Sequence, residues 1–195
     1  PEMLYATLRE PAGNESKDRF YNSDRTSEVR LGKGRIVLGR SDVTWEQARQ
    51  ISILKNGTDR YPLQVDSIEE FGILDRTVHP SMSESAEIEA DPKPGLRFAS
   101  AVNEQLARSP VKDVYIYVHG YRVNFENPVL IAAELWHFLG YKGVFIPFAW
   151  PCHRGKLAYF GDTESARFSA LYFRAFLQYL AEQTDVERIH ILGYS

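Results

Sequence analysis

Apolar residues are distributed differently in the two halves of the chain. In residues 96–195 they gather into three short runs, DVYIYVHG (113–120), GVFIPFAW (143–150) and VERIHILGYS (186–195). A continuous apolar and β-branched run of this length is the pattern of a strand buried on both faces. Between the runs the spacing changes to three and four residues. Phe98, Val102 and Leu106 predict a helix over 96–108 that Ser109-Pro110 ends. Asn127-Pro128, an N-cap followed by proline at the first helical position, predicts a second helix that Gly140 closes. Asp162, another N-cap residue, opens a third along Leu171, Phe173, Phe176, Leu177 and Leu180. Strand and helix therefore alternate, and right-handed crossovers turn that alternation into an α/β fold, a three-layer sandwich around a mostly parallel sheet.

Residues 1–95 are irregular, with short apolar stretches at GRIVLG (34–39) and YPLQV (61–65) that predict short strands. Thr44-Trp45-Glu46-Gln47 fits a capping box, so a helix from about Trp45 to Lys55, stopped by Asn56-Gly57, is expected between them. SMSESAEIEADPKPG (81–95) is acidic with little to bury and marks a loop or a boundary. The expected organisation is a region 1–95 whose strands and helix extend or cover the sheet, or act as a partial lid, and a core at 96–195. Phe20, Tyr21, Trp45 and Tyr61 would add to the burial.

Composition narrows the chemistry. The 195 residues are 44% hydrophobic and 25% charged, as in a globular protein. Lys+Arg 23 against Asp+Glu 26 leaves a net charge of -3, so there is no basic field to hold a nucleic acid. The one cysteine, Cys152, makes neither an internal disulfide nor a thiolate-rich zinc site. No apolar run approaches the ~20 residues that span a bilayer. Histidines and carboxylates form no metal-ligand signature, and no glycine-rich phosphate loop follows a strand, so neither metal nor cofactor is expected. The chain begins at Pro1 rather than at methionine, as expected of a segment whose upstream residues have been removed, and its compartment, cytoplasm or cell envelope, stays open.

In an open parallel sheet, function sits beyond the carboxyl ends of the strands. Those positions hold His119-Gly120-Tyr121-Arg122, Trp150-Pro151-Cys152-His153 and Gly193-Tyr194-Ser195. Gly-x-Ser also occurs at Gly39-Arg40-Ser41, so context decides between the two copies. Only residues 186–195 offer a buried strand running into a sharp turn that would stand a serine hydroxyl at the top of the sheet.

On these motifs the chain resembles an α/β hydrolase over roughly residues 96–195, with VYIYVHGYR similar to the oxyanion-loop strand and IHILGYS similar to the nucleophile strand. RFYNSDRTSEVRLGKGRIVLG, the FAWP segment, Tyr159 and Asp162 further resemble an uncharacterised branch of bacterial serine hydrolases known only as a domain of unknown function. The resemblance implies that Ser195 attacks the carbonyl carbon of a carboxylic ester, on a small-molecule or lipid-like substrate, and becomes transiently acylated. It implies that the backbone N–H of Tyr121 and that of the residue after the nucleophile hold the oxyanion. His119 and Gly120 shape that loop, His119 by hydrogen bonding; Arg122, Trp150, His153 and Tyr194 are pocket candidates.

The sequence departs from the family pattern by stopping at Ser195. Family order places the acid and the base after the nucleophile, so both are expected from a C-terminal remainder of the same polypeptide that packs on the last strand. Of the histidines, His79 falls in a loop, His137 in a helix and His190 in a buried strand, and only His153 follows a strand end. The rival reading is a module that kept the fold without catalysis, either a binding module or an assembly subunit whose last strand a partner completes.

Overall fold

The computed structural model describes residues 1–38, 63–74, 93–153 and 159–195. Along them run β1 (Glu2–Pro11), β2 (Tyr21–Leu38), β3 (Leu63–Ile73), α1 (Lys93–Arg108), β4 (Asp113–Val118), α2 (Glu126–Phe138), β5 (Val144–Ala149), α3 (Tyr159–Gln183) and β6 (Arg188–Gly193). The expected helix at 45–55 lies outside the described residues, as does the expected loop at 81–95 except for its last three positions. Those three open α1, whose Pro94 sits in the first turn, where a missing N–H costs no helical hydrogen bond.

The strands form one six-stranded sheet in the order β3-β2-β1-β5-β4-β6. β1, β5, β4 and β6 pair in parallel, while β2 runs antiparallel to both of its neighbours. Successive side chains of a strand point to opposite faces, and burial follows that rule. Leu4, Ala6 and Leu8, Val114 and Ile116, and Val144, Ile146 and Phe148 share a core with Phe98, Val102 and Leu106 of α1 and Tyr172, Phe176 and Leu180 of α3. Met3 and Tyr5, Tyr117, and Phe145 and Ala149 share the opposite core with Phe125, Val129, Ala132 and Ala133 beside and along α2. The result is a three-layer α/β sandwich with a mostly parallel sheet.

Local details differ from the sequence expectation for identifiable reasons. Of the short strand expected at 34–39, residues 34–38 belong to an 18-residue strand, and of that at 61–65, residues 63–65 open an 11-residue one; residues 39, 61 and 62 lie outside the described residues. The extra length is polar and gives no alternating apolar signal. It is carried by backbone pairing, with Arg30 bridging to Glu70 and Lys33 to Glu2 and Glu69 across the strands, and Arg30 pairing with Glu28 along β2. At α2 the side chain of Asn127 is not the cap; the Asn124 carboxamide accepts the Asn127 N–H at 3.1 Å. Gly140 does end that helix, at φ 68°, with Tyr141 N–H returning to the Trp136 carbonyl at 2.9 Å. Asp162 lies inside α3 rather than before it, with its carboxylate engaged elsewhere. β6 pairs with β4 alone among the described residues, so the strand expected to be buried is an edge, with Ile191 55% exposed.

The parallel register fixes where the loops begin. Val118 stands opposite Phe148 of β5 and Gly193 of β6, so these three parallel strands end at one level. The core beneath that level rests on ring contacts, Phe98 meeting Phe71 and Phe176, and Phe148 meeting Phe173 and Phe176. Phe98→Ala is expected to lower unfolding free energy by about 3–5 kcal/mol, and Leu171→Ala, on the exposed side of α3, by less than about 0.5 kcal/mol. Urea unfolding of the two variants measures both.

Candidate active site

Two of the level strand ends come into direct contact. The Tyr194 N–H donates to the Val118 carbonyl at 2.9 Å, extending the β4–β6 ladder one bond beyond the strands. This lays Tyr194 and Ser195 against Gly120. A Cβ at position 120 would stand 3.0 Å from the Tyr194 carbonyl oxygen, 3.3 Å from its ring and 3.5 Å from the Ser195 Cα. A side chain here would crowd Tyr194, and glycine leaves that space open.

The loop after β4 is held from behind by the loop after β5. The His119 ring stacks on Trp150 at 5.2 Å and 5°, and the indole N–H donates back to the His119 carbonyl at 2.7 Å. Tyr121 meets the same indole edge-on at 5.3 Å. Trp150 is thus a buried brace between two loops. Arg122 takes φ 65°, a left-handed conformation uncommon outside glycine, where the chain turns sharply out of the loop. Behind it, Arg9 at the end of β1 is wholly buried and donates to the carbonyls of Asn22 and Val123 and to Cys152 Sγ.

The His119 imidazole has a fixed chemical state. Burial, followed by the nearby Arg9 charge, pushes its pKa down to about 3. In the neutral ring Nδ1–H donates to the Gly120 carbonyl at 2.7 Å, leaving Nε2 buried as an acceptor that no described residue satisfies. The described backbone contains no cis peptide. In a trans unit the carbonyl and the following N–H point in opposite directions, so holding the Gly120 carbonyl also aims the Tyr121 N–H.

A family model described as alpha/beta hydrolase of unknown function (DUF900) matches residues 96–195, half of the chain and the half that carries these loops. The chain belongs to this family. No curated protein and no solved structure matches it.

In this α/β hydrolase the loop after β5 carries a further pair. His153 Nδ1 lies 3.0 Å from Asp162 Oδ1, and its backbone N–H donates to both carboxylate oxygens, at 3.0 and 3.2 Å. The carboxylate is 1% exposed and the imidazole 52%. The residues are nine apart and come from a loop and a helix, so no periodic signal joins them in the sequence. His190 stands elsewhere, stacked on Tyr115 with Nε2 3.6 Å from Asp113 at the amino end of β4. His137 is half-buried and bonded to the Tyr141 hydroxyl; His79 lies outside the described residues. Tyr194 is 69% exposed beside Ser195.

Among the described residues no three His, Cys, Asp or Glu side chains group as metal ligands. A cavity of about 430 Å³ does occur, but it is lined by Glu2, Lys33, Arg97 and Glu104. It lies toward the amino end of β1, at the opposite end of the strands from the loops just described.

The state of His119 has a consequence for acid stability. Its native pKa lies below the ordinary value of 6.5, so the unfolded chain binds the extra proton first and stability falls as pH drops through the window from about 6.5 to about 3. The slope from this group is about 1.4 kcal/mol per pH unit. His119→Phe is expected to remove that part of the slope in urea unfolding at pH 6, 5 and 4; an unchanged slope would show that the ring is charged or absent from the balance.

Proposed function

We propose that this chain carries the nucleophile and part of the oxyanion hole of a serine hydrolase acting on carboxylic esters. The reading is supported above all by the close approach at Gly120, where the loop bearing the proposed oxyanion donor passes so near the residue bearing the proposed nucleophile that a Cβ would stand 3.5 Å from the Ser195 Cα. In this mechanism an imidazole takes the Ser195 hydroxyl proton as Oγ bonds to the carbonyl carbon of the ester. The carbonyl electron pair moves onto oxygen, which accepts from the Tyr121 N–H and from the N–H of the residue that follows the nucleophile. Collapse of the tetrahedral species breaks the carbon–oxygen bond to the alcohol, which leaves with the proton from the imidazole. Water then adds to the acyl-enzyme by the same route, releasing the acid and restoring Ser195.

The acid and base of this reaction are proposed to come from the C-terminal remainder of the polypeptide, packed on β6. The exposed Ile191 and the unpaired side of β6 among the described residues favour such a covering. Ser195 supplies the nucleophile, Tyr121 a backbone donor, His119 and Gly120 its positioning, and Arg122, Trp150 and Tyr194 the nearby walls. The reaction so written uses no cofactor.

With the full-length protein and p-nitrophenyl butyrate, Ser195→Ala is expected to lower kcat/KM by about 10⁴-fold or more. Gly120→Val, which forces the two loops apart, is expected to cost up to about 10²-fold while the protein stays folded. Equal turnover by wild type and Ser195→Ala would remove the serine from this role.

A further inference from the structure

We propose that His153, oriented by Asp162, is a specificity residue that binds a hydroxyl group on the substrate. The inference rests on the reading of Ser195 as nucleophile and adds a substrate class to it. Three observations carry it. The segment that delivers His153 is bound to the oxyanion loop, through the Trp150 contacts with His119 and Tyr121 and through Cys152 Sγ, 3.4 Å from the Val123 carbonyl. The carboxylate that holds the imidazole is almost wholly buried, whereas the imidazole is half exposed, so the pair presents its free side outward from a fixed base. Asp162 also binds the His153 backbone N–H with both oxygens, which fixes the ring's point of attachment as well as its rotation.

The donor and acceptor inventory then limits the ligand. An ionised carboxylate only accepts, so Nδ1 carries the hydrogen of the His153–Asp162 bond. The outward Nε2 accepts when the ring is neutral and donates when it is protonated. A hydroxyl serves both states because it donates and accepts, whereas an alkyl chain satisfies neither. Adjacent strands are about 4.8 Å apart, and β5 is separated from β6 by β4 alone. β5 and β6 are thus about 10 Å apart, an interval closed jointly by the Ser195 side chain, the His153 side chain and a hydroxyl carried on the acyl chain between them.

The test compares p-nitrophenyl 3-hydroxybutyrate with p-nitrophenyl butyrate on the full-length protein. Wild type is expected to favour the hydroxy ester in kcat/KM by about fivefold, the size of one partly solvated hydrogen bond. His153→Phe and Asp162→Asn are expected to abolish that preference. In parallel, ¹⁵N NMR of the imidazole is expected to show His153 Nε2 shifting on addition of 3-hydroxybutyrate but not of butyrate. No preference in wild type, or a preference that survives His153→Phe, overturns the proposal, as does an Nε2 signal indifferent to the hydroxy acid. Failure of the Ser195 reading looks different, since both esters would then be turned over equally by wild type and by Ser195→Ala.

Discussion

The close approach of two backbones at Gly120 is the constraint on which the rest of the site depends. It follows from register: Val118, Phe148 and Gly193 lie at one level, so the loops leaving β4, β5 and β6 start side by side. One further ladder bond, from Tyr194 to Val118, draws the end of β6 across the loop after β4 until main chain meets main chain. A Cβ at position 120 would stand 3.0 Å from the Tyr194 carbonyl oxygen and 3.5 Å from the Ser195 Cα, crowding the residue proposed as the nucleophile. The loop after β5 completes the arrangement from behind, because Trp150 both stacks on His119 and binds its carbonyl.

Such a site requires buried polar groups, and the fold supplies each with a reason to be there. His119 is neutral, so its burial avoids the large cost of a buried charge, and its one donor is spent on the Gly120 carbonyl. Arg9 stays charged but ties the end of β1 to Asn22, Val123 and Cys152, joining the first strand of the sheet to the loops after β4 and β5. Asp162 is buried with three contacts to one residue, His153. These groups lie at the carboxyl ends of the parallel strands, where a hydrolase of this architecture works.

Much of this was legible from local pattern. VYIYV and VFIPFA are apolar without alternation because helices cover both faces of β4 and β5, and the glycine, histidine and serine follow strand ends directly. What the pattern could not carry was set by partners distant in sequence. The apolar run at 188–193 looks the same whether a strand is central or at an edge, and among the described residues it is an edge. Two asparagines stand three residues apart at the start of α2, and in the fold it is the Asn124 carboxamide that accepts the Asn127 N–H. The long polar strands β2 and β3 are held by cross-strand charges that mimic a loop in composition. Asp162 resembles a helix cap, and only the return of the loop after β5 shows that its carboxylate serves His153.

The central claim is that Ser195 is a nucleophile pressed against the oxyanion loop. It is tested most directly by treating the full-length protein with a fluorophosphonate, digesting it and locating the adduct by mass spectrometry. The account predicts one phosphonylated serine, in the peptide that contains IHILGYS, and no adduct there after Ser195→Ala. An adduct on another residue, or an unmodified Ser195 in the folded protein, would contradict it.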